Sequence, residues 1–185
     1  MSVPYALYAK AAGSTATTSG HYVGELFGGG VVCWVDNSGL HGLIISMVDL
    51  STTQAWSNVT GTAINTTNDW SGATNTTAIT GQSGHTGSAA KLCADYVNTN
   101  YGTGAFSDWY LPSIAELNHV WNNFYEVQKA LTNDGNSATT PLSRTYYWSS
   151  SEYFTYEAWF YSFFYGYAFT YGKYYTLYVR AVRAF

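Results

Sequence analysis

The residues of this chain that could do chemistry fall into a sparse group and a dense one. The sparse group is His21, His41, His85 and His119, with Cys33 and Cys93 and a few carboxylates. The histidines are scattered, and neither among themselves nor with the cysteines do they show metal-ligand spacing. No His-Glu-x-x-His, Walker-type phosphate loop or Gly-x-Ser-x-Gly motif occurs. Gly28-Gly29-Gly30 precedes an expected strand instead of following one, so it reads as a turn. Asp108 and Glu116 can be posed as paired carboxylates. The plainer expectation is that Asp108 bonds nearby backbone and that Glu116 belongs to a helix cap. Both cysteines sit among apolar neighbours, Val31-Val32-Cys33-Trp34 and Leu92-Cys93-Ala94. Buried thiols acting as small hydrophobes are expected there, with a single bridge as the alternative. These residues predict no enzyme, no cofactor and no metal.

The dense group is aromatic. Aromatics make up 18% of the chain, led by 18 Tyr, and more than half of them lie between residues 146 and 178. Only Glu152, Glu157 and Lys173 are charged in that stretch. The chemistry of such residues is contact: Tyr offers wide rings, few rotatable bonds and a hydroxyl. Strand parity puts Trp159, Tyr161 and Phe163 on one face and Phe160, Ser162 and Phe164 on the other. Burial of one face leaves the other unexplained. Either the strand is sandwiched, or one face shows its rings to solvent. The enrichment continues through Gly166 and Gly172, and turn-rich backbone lies at surfaces. A displayed patch is therefore favoured over a purely structural aromatic core, and large exposed apolar patches mark interaction sites.

The elements that must position this segment are legible in part. Residues 31–36 and 42–50 read as a hairpin around Asn37-Ser38-Gly39. Residues 51–87, rich in Thr, Asn, Ser and Gly, read as a long loop, with glycosylation-type sequons at Asn58, Asn65 and Asn75. Residues 88–99 place Leu92, Cys93, Tyr96 and Val97 on one helical face. A second helix starts at Ser113, with Glu116 completing a capping box. It runs through Ile114, Leu117, Trp121, Phe124, Val127 and Leu131 to Asn133-Asp134-Gly135-Asn136. From Tyr146 onward the pattern is β. Residues 1–18 read as a linker or stalk end, and 19–185 as one domain, whose 46% hydrophobic content suffices for a core. The net charge of −4, without a basic run, argues against nucleic acid as a partner. No apolar stretch reaches membrane-spanning length.

Several motifs taken together resemble the DUF1566-type branch of the C-type lectin fold, related in architecture to formylglycine-generating enzymes. They are Gly29-Gly30-Val31-Val32-Cys33-Trp34-Val35-Asp36 with His41-Gly42-Leu43, Cys93 on the first helix, and Asp108-Trp109-Tyr110-Leu111-Pro112-Ser113 leading to Glu116-Leu117. Tyr147-Trp148-Ser149-Ser150-Ser151-Glu152 and Val179-Arg180-Ala181-Val182-Arg183-Ala184-Phe185 complete the set. The resemblance implies an α+β, C-type-lectin-like fold: two helices packed on antiparallel sheets with long irregular loops. The stretch from Trp148 to Phe185 is also similar to the variable region of a diversity-generating retroelement target. There, miscopied template adenines turn Asn codons of the AAC type into Tyr, Phe, Ser, Thr, Leu, Gly and others, but not into Trp, Glu or Lys. Trp159, Glu157 and Lys173 would then be invariant scaffold.

By that resemblance the ligand surface comprises Tyr153, Phe154, Tyr156, Phe160, Ser162, Phe164, Tyr165, Tyr167, Phe169, Tyr171, Tyr174, Tyr175 and Leu177. It implies a hypervariable receptor-binding protein holding a protein or other macromolecular ligand on a target cell. The setting implied is a phage tail fibre or a bacterial surface. Val3-Pro4-Tyr5-Ala6-Leu7-Tyr8-Ala9-Lys10 resembles segments that follow stalks, and suggests a homotrimer. The competing expectations are a fixed-specificity adhesin of the same fold and an enzyme of the related family. The calcium motifs of sugar-binding C-type lectins do not occur, so calcium-dependent sugar binding is not expected.

Overall fold

The computed structural model describes residues 20–65, 68–99 and 102–185; the N-terminal linker and stalk expectation falls outside them. Among the described residues the fold is mixed α+β, with two sheets and four helices. The chain order is β1 (Leu26–Phe27), β2 (Gly30–Val35), β3 (Gly42–Ser46), β4 (Ser51–Ala55), α1 (Gly72–Thr80), α2 (Ala89–Ala94), α3 (Ile114–Asn122), α4 (Phe124–Asn133), β5 (Tyr146–Phe154), β6 (Glu157–Ser162), β7 (Tyr167–Gly172), β8 (Thr176–Val179) and β9 (Val182–Ala184).

The first sheet runs β1-β2-β3-β9 and the second β4-β8-β5-β6-β7. The expected hairpin is β2–β3, with Val31 opposite Ile45 and Val35 opposite Gly42. Its alternating residues serve two cores. Val31, Cys33, Leu43 and Ile45 pack with Leu117, Val120, Phe124 and Val127 of α3 and α4. Val32 and Ile44 face the other way, onto Trp109, Cys93 and the α1–α2 layer. A sheet covered on both faces tolerates continuous apolar runs, and Val31-Val32-Cys33 is one.

The structure corrects four expectations. The stretch 51–87 is not one loop, because it holds β4 and α1. Apolar periodicity does not mark α1; polar burial holds it. Asn75 Nδ2 donates to the Asn68 carbonyl at 2.6 Å and to Ser150 Oγ at 3.2 Å, and Leu111 N–H donates to Thr76 Oγ1 at 3.0 Å. The helix expected over 88–99 ends at Ala94, and Val97 is exposed. The long helix from Ser113 divides at Asn123 into α3 and α4. There Asn123 Nδ2 donates to the His119 carbonyl at 3.2 Å and to the Cys33 carbonyl at 3.0 Å. The register of β2 and β3 shifts at Cys33, so that bulge frees a carbonyl which Asn123 satisfies. Finally, the second sheet is not wholly antiparallel, since β5 and β8 pair in parallel at Tyr147 and Tyr178.

The Ser113–Glu116 capping box forms as expected. Glu116 also accepts from Gly72 N–H at 3.1 Å and from the Tyr110 hydroxyl at 3.1 Å, tying α1 to α3. Asp108 does not bond local backbone alone; it grips Arg183 Nε and Nη2 at 2.6 and 2.8 Å. The two arginines of the C-terminal motif are thus structural. Arg180 is buried against Asp49 Oδ1 at 3.1 Å and donates to the carbonyls of Ser46 and Thr140.

Candidate binding surface

Three strands build the aromatic surface. In β6 and its neighbours, paired residues point to the same side: Tyr147, Tyr161 and Ala168 share one face, while Phe160 and Phe169 share the other with Trp148. The inner face packs on α3 and α4. Tyr161 and Phe163 are buried there with Tyr147, and the Tyr161 hydroxyl donates to Asn118 Oδ1 at 2.9 Å. Trp159 remains half-buried, its ring 5.0 Å from that of Tyr153. The Tyr147 hydroxyl donates to Asp49 Oδ1 at 3.0 Å. Its aromatic bulk is core, and its polar tip closes the Arg180–Asp49 network.

The outer face is the displayed one. Tyr153, Phe154, Tyr156, Phe164, Tyr165, Tyr167, Phe169, Tyr171, Tyr174 and Tyr175 are exposed, and Phe169 keeps 60% of its surface in solvent. Phe160 is half-buried among them. Ser162 and Leu177 depart from the expected surface, at 1% and 8% exposed. The hydroxyl of Ser162 accepts the Tyr165 N–H at 3.1 Å, inside the turn between β6 and β7. Leu177 packs into the core behind Trp148 and Val179. Each nevertheless lines a hollow. One, of about 450 Å³, is bounded by Tyr146, Phe160, Phe169, Tyr171, Tyr175 and Leu177. A smaller one, of about 110 Å³, is bounded by Tyr146, Phe160, Ser162, Tyr165, Tyr167 and Phe169. Tyr146, Phe160 and Phe169 belong to both, so the hollows are neighbouring parts of one ringed face.

Tyr146 is the residue that sequence reasoning missed. It is 38% exposed and lies 5.3 Å ring to ring from Phe160. Its parity relative to Tyr147 could have found it: Tyr147 is core, so the preceding residue of the strand points outward.

The rings are mutually ordered. Tyr171 and Tyr175 stack at 3.9 Å between centroids, and Tyr165 and Tyr167 at 5.6 Å. Gly166 makes the turn that places them. Its φ is +78°, and a Cβ there would meet the Trp121 ring at 2.9 Å. Beneath the face, the Lys173 ammonium is buried against Glu152, donates to the Thr155 carbonyl at 2.8 Å and sits 4.8 Å over the Trp56 ring. Glu152 accepts the Ile64 and Asn65 N–H groups at 3.0 and 2.9 Å. One ion pair therefore clips loop 62–65 to the ends of β5 and β7.

Elsewhere the chemistry is quiet. Among the described residues no three His, Cys, Asp or Glu side chains gather as metal ligands would. Cys33 and Cys93 are unpaired, buried in different cores, and burial pushes both thiols far up from their ordinary pKa. Burial also lowers the pKa of His119, whose ring lies 4.7 Å from that of Trp34. No described helix is long and apolar enough to cross a membrane.

A comparison with curated proteins finds no match. A family model, the Lcl C-terminal domain, matches residues 46–183, which takes in the four helices and the whole aromatic face. The motifs and the match over most of the chain agree: the chain belongs to the Lcl C-terminal domain family, of DUF1566 type.

Proposed function

We propose that this chain is a hypervariable binding protein. On a C-type-lectin-like scaffold it presents a Tyr/Phe face that holds a macromolecular ligand on a target cell, without catalysing a reaction. Its setting in this reading is a phage tail fibre or bacterial surface, and its face is written by adenine-directed diversification.

One observation carries the proposal. Between residues 153 and 176 every exposed position is Tyr, Phe or Thr. Miscopied adenines in an AAC codon can yield all three. The residues between 148 and 176 that such miscopying cannot yield are all withdrawn from the surface: Trp148, Glu152 and Lys173 are buried, and Glu157 and Trp159 are half-buried. Interfaces shaped for one fixed ligand concentrate Trp and Arg as well as Tyr among their anchors, and neither Trp nor Arg is exposed between residues 153 and 176. Rigid, amphipathic Tyr side chains make contact at low entropic cost and suit many partners.

The test is the DNA beside the gene. The proposal expects a reverse-transcriptase gene and a near-copy of the 3′ end of the coding region that differs from it at adenine positions. Flanking DNA with neither feature would replace this reading with a fixed-specificity adhesin.

A further inference from the structure

Phe160 stands where several ring planes meet at steep angles. Tyr146 is inclined to it by 73° with centroids 5.3 Å apart, Tyr171 by 67° at 6.1 Å and Phe169 by 59° at 6.4 Å. Strand alternation brings them together: Tyr146 pairs with Ser162, Phe160 with Phe169 and Tyr171 with Ala158, all on one face of the sheet. Tyr175 follows the bend at Gly172 and stacks on Tyr171 at 3.9 Å. With Leu177, the one purely aliphatic side chain there, these five rings bound the hollow of about 450 Å³. That volume lies in the range of small-ligand sites, about 300–1,000 Å³. Rings set as corners can turn two or three faces to one point. A group in a corner whose centroids are about 6 Å apart lies within about 6 Å of both rings, the reach of a cation–π contact.

The hollow holds aromatic faces and no cation of its own. Among the described residues no charged side chain lines it. The cations nearest to it in sequence are all engaged elsewhere. Arg144 lies over the Phe124 ring at 5.8 Å. Lys173 is buried against Glu152 and sits 4.8 Å over Trp56, and Arg180 is buried against Asp49. The chain as a whole carries a net charge of −4, a field that draws cations.

We propose that this hollow takes a quaternary ammonium group of the choline type carried by the ligand. The proposal rests on the reading of the ringed face as a binding surface, and names the chemistry of one group held there. Ring faces carry the negative part of the aromatic quadrupole and attract a desolvated cation. Lysine and arginine heads bring several N–H donors that need acceptors, and no carboxylate lines the hollow to meet them. A trimethylammonium head brings charge without N–H, and its methyl groups pack on rings as an apolar group does. Charge is therefore what separates this occupant from an apolar side chain.

The experiment is calorimetric titration of the full chain with choline chloride at constant ionic strength. The control is its uncharged isostere, the alcohol in which tert-butyl replaces trimethylammonium. The expected result is saturation by choline, with the isostere bound about tenfold more weakly. Phe160→Leu and Tyr171→Leu keep apolar bulk but remove a ring face, and each is expected to weaken choline about fivefold or more while changing the isostere little. Failure of choline to saturate, equal affinity for the isostere, or unchanged choline affinity in a folded leucine variant overturns the proposal. Should Phe160→Leu fail to fold, Tyr171→Leu, at an exposed position, decides. Cosedimentation with phosphatidylcholine vesicles but not with phosphatidylglycerol vesicles assigns the group to a lipid, and choline binding without cosedimentation assigns it to a non-lipid carrier. A chain that ignores choline yet is encoded beside a reverse-transcriptase gene loses this proposal and keeps the preceding one.

Discussion

The Lys173 ammonium and the Glu152 carboxylate form an ion pair buried directly under the aromatic face. Removing one partner leaves the other as an uncompensated buried charge. Lys173→Met is expected to cost about 3–5 kcal/mol in urea unfolding. Lys173→Met combined with Glu152→Leu is expected to cost less than the single change, because the stranded charge is gone. A double variant less stable than Lys173→Met would show that the carboxylate's bonds to Ile64 and Asn65 N–H matter more than its charge.

The inner face should behave as core. Phe163 is 1% exposed and packs against Trp121, Phe124 and Tyr147. Phe163→Ala is expected to lower stability by about 3–5 kcal/mol, whereas Phe164→Ala, one residue on and exposed, should change it by no more than about 0.5 kcal/mol. Denaturant melts of the two variants check the parity directly.

Two carboxylates give opposite pH signatures. Hydrogen bonds from Arg183 hold the Asp108 carboxyl below the ordinary range. Its contribution is present above the unfolded value of about 4 and is lost as pH falls through the depressed folded value. Glu116 is pushed up, chiefly by burial. The folded state keeps that proton longer than the unfolded one does, so its effect favours the fold in acid and declines as pH rises from about 4 through the raised folded value. Relative to the parent, Asp108→Asn should flatten the loss of stability at low pH, and Glu116→Gln should flatten the decline above it. Thermal melts across pH 2–7 (a range of about five units) separate the two.

The thiols offer a check on both cores at once. Cys33 and Cys93 are wholly buried and are held protonated by burial, and the thiolate is the reactive form. Native protein is expected to resist iodoacetamide, and both residues should alkylate once urea unfolds the chain. Modification of either thiol in the native state, read by mass spectrometry, would indicate local opening.

Much of the scaffold was legible because local and tertiary preferences agree there. The β2–β3 hairpin follows from its apolar run and Asn37-Ser38-Gly39 turn, and the start of α3 from Ser113 and Glu116. What stayed hidden was decided at a distance. Nothing periodic announces α1, whose Asn75 and Thr76 are held by Asn68, Ser150 and Leu111. The break at Asn123 depends on a bulge at Cys33, ninety residues earlier. In the surface, alternation predicted the buried and displayed faces of β6 but not its end. Past Ser162 the chain turns, so Ser162 is enclosed while Phe164 is exposed. Leu177 follows the demands of the second core, where β8 is covered. The charged residues at the edge of the aromatic run marked scaffold, but their pairing required the fold to bring positions 152 and 173 together.

The ringed face is displayed, and the fold does not depend on it. Equilibrium unfolding of a variant with Tyr153, Phe154, Tyr156, Phe164, Tyr165, Tyr167, Phe169, Tyr171, Tyr174 and Tyr175 all changed to Ser or Thr tests this most directly. The expected result is a folded chain with a single cooperative transition and parental secondary structure. A chain that is unfolded, or that melts without cooperativity, would show that these rings are core and contradict the claim.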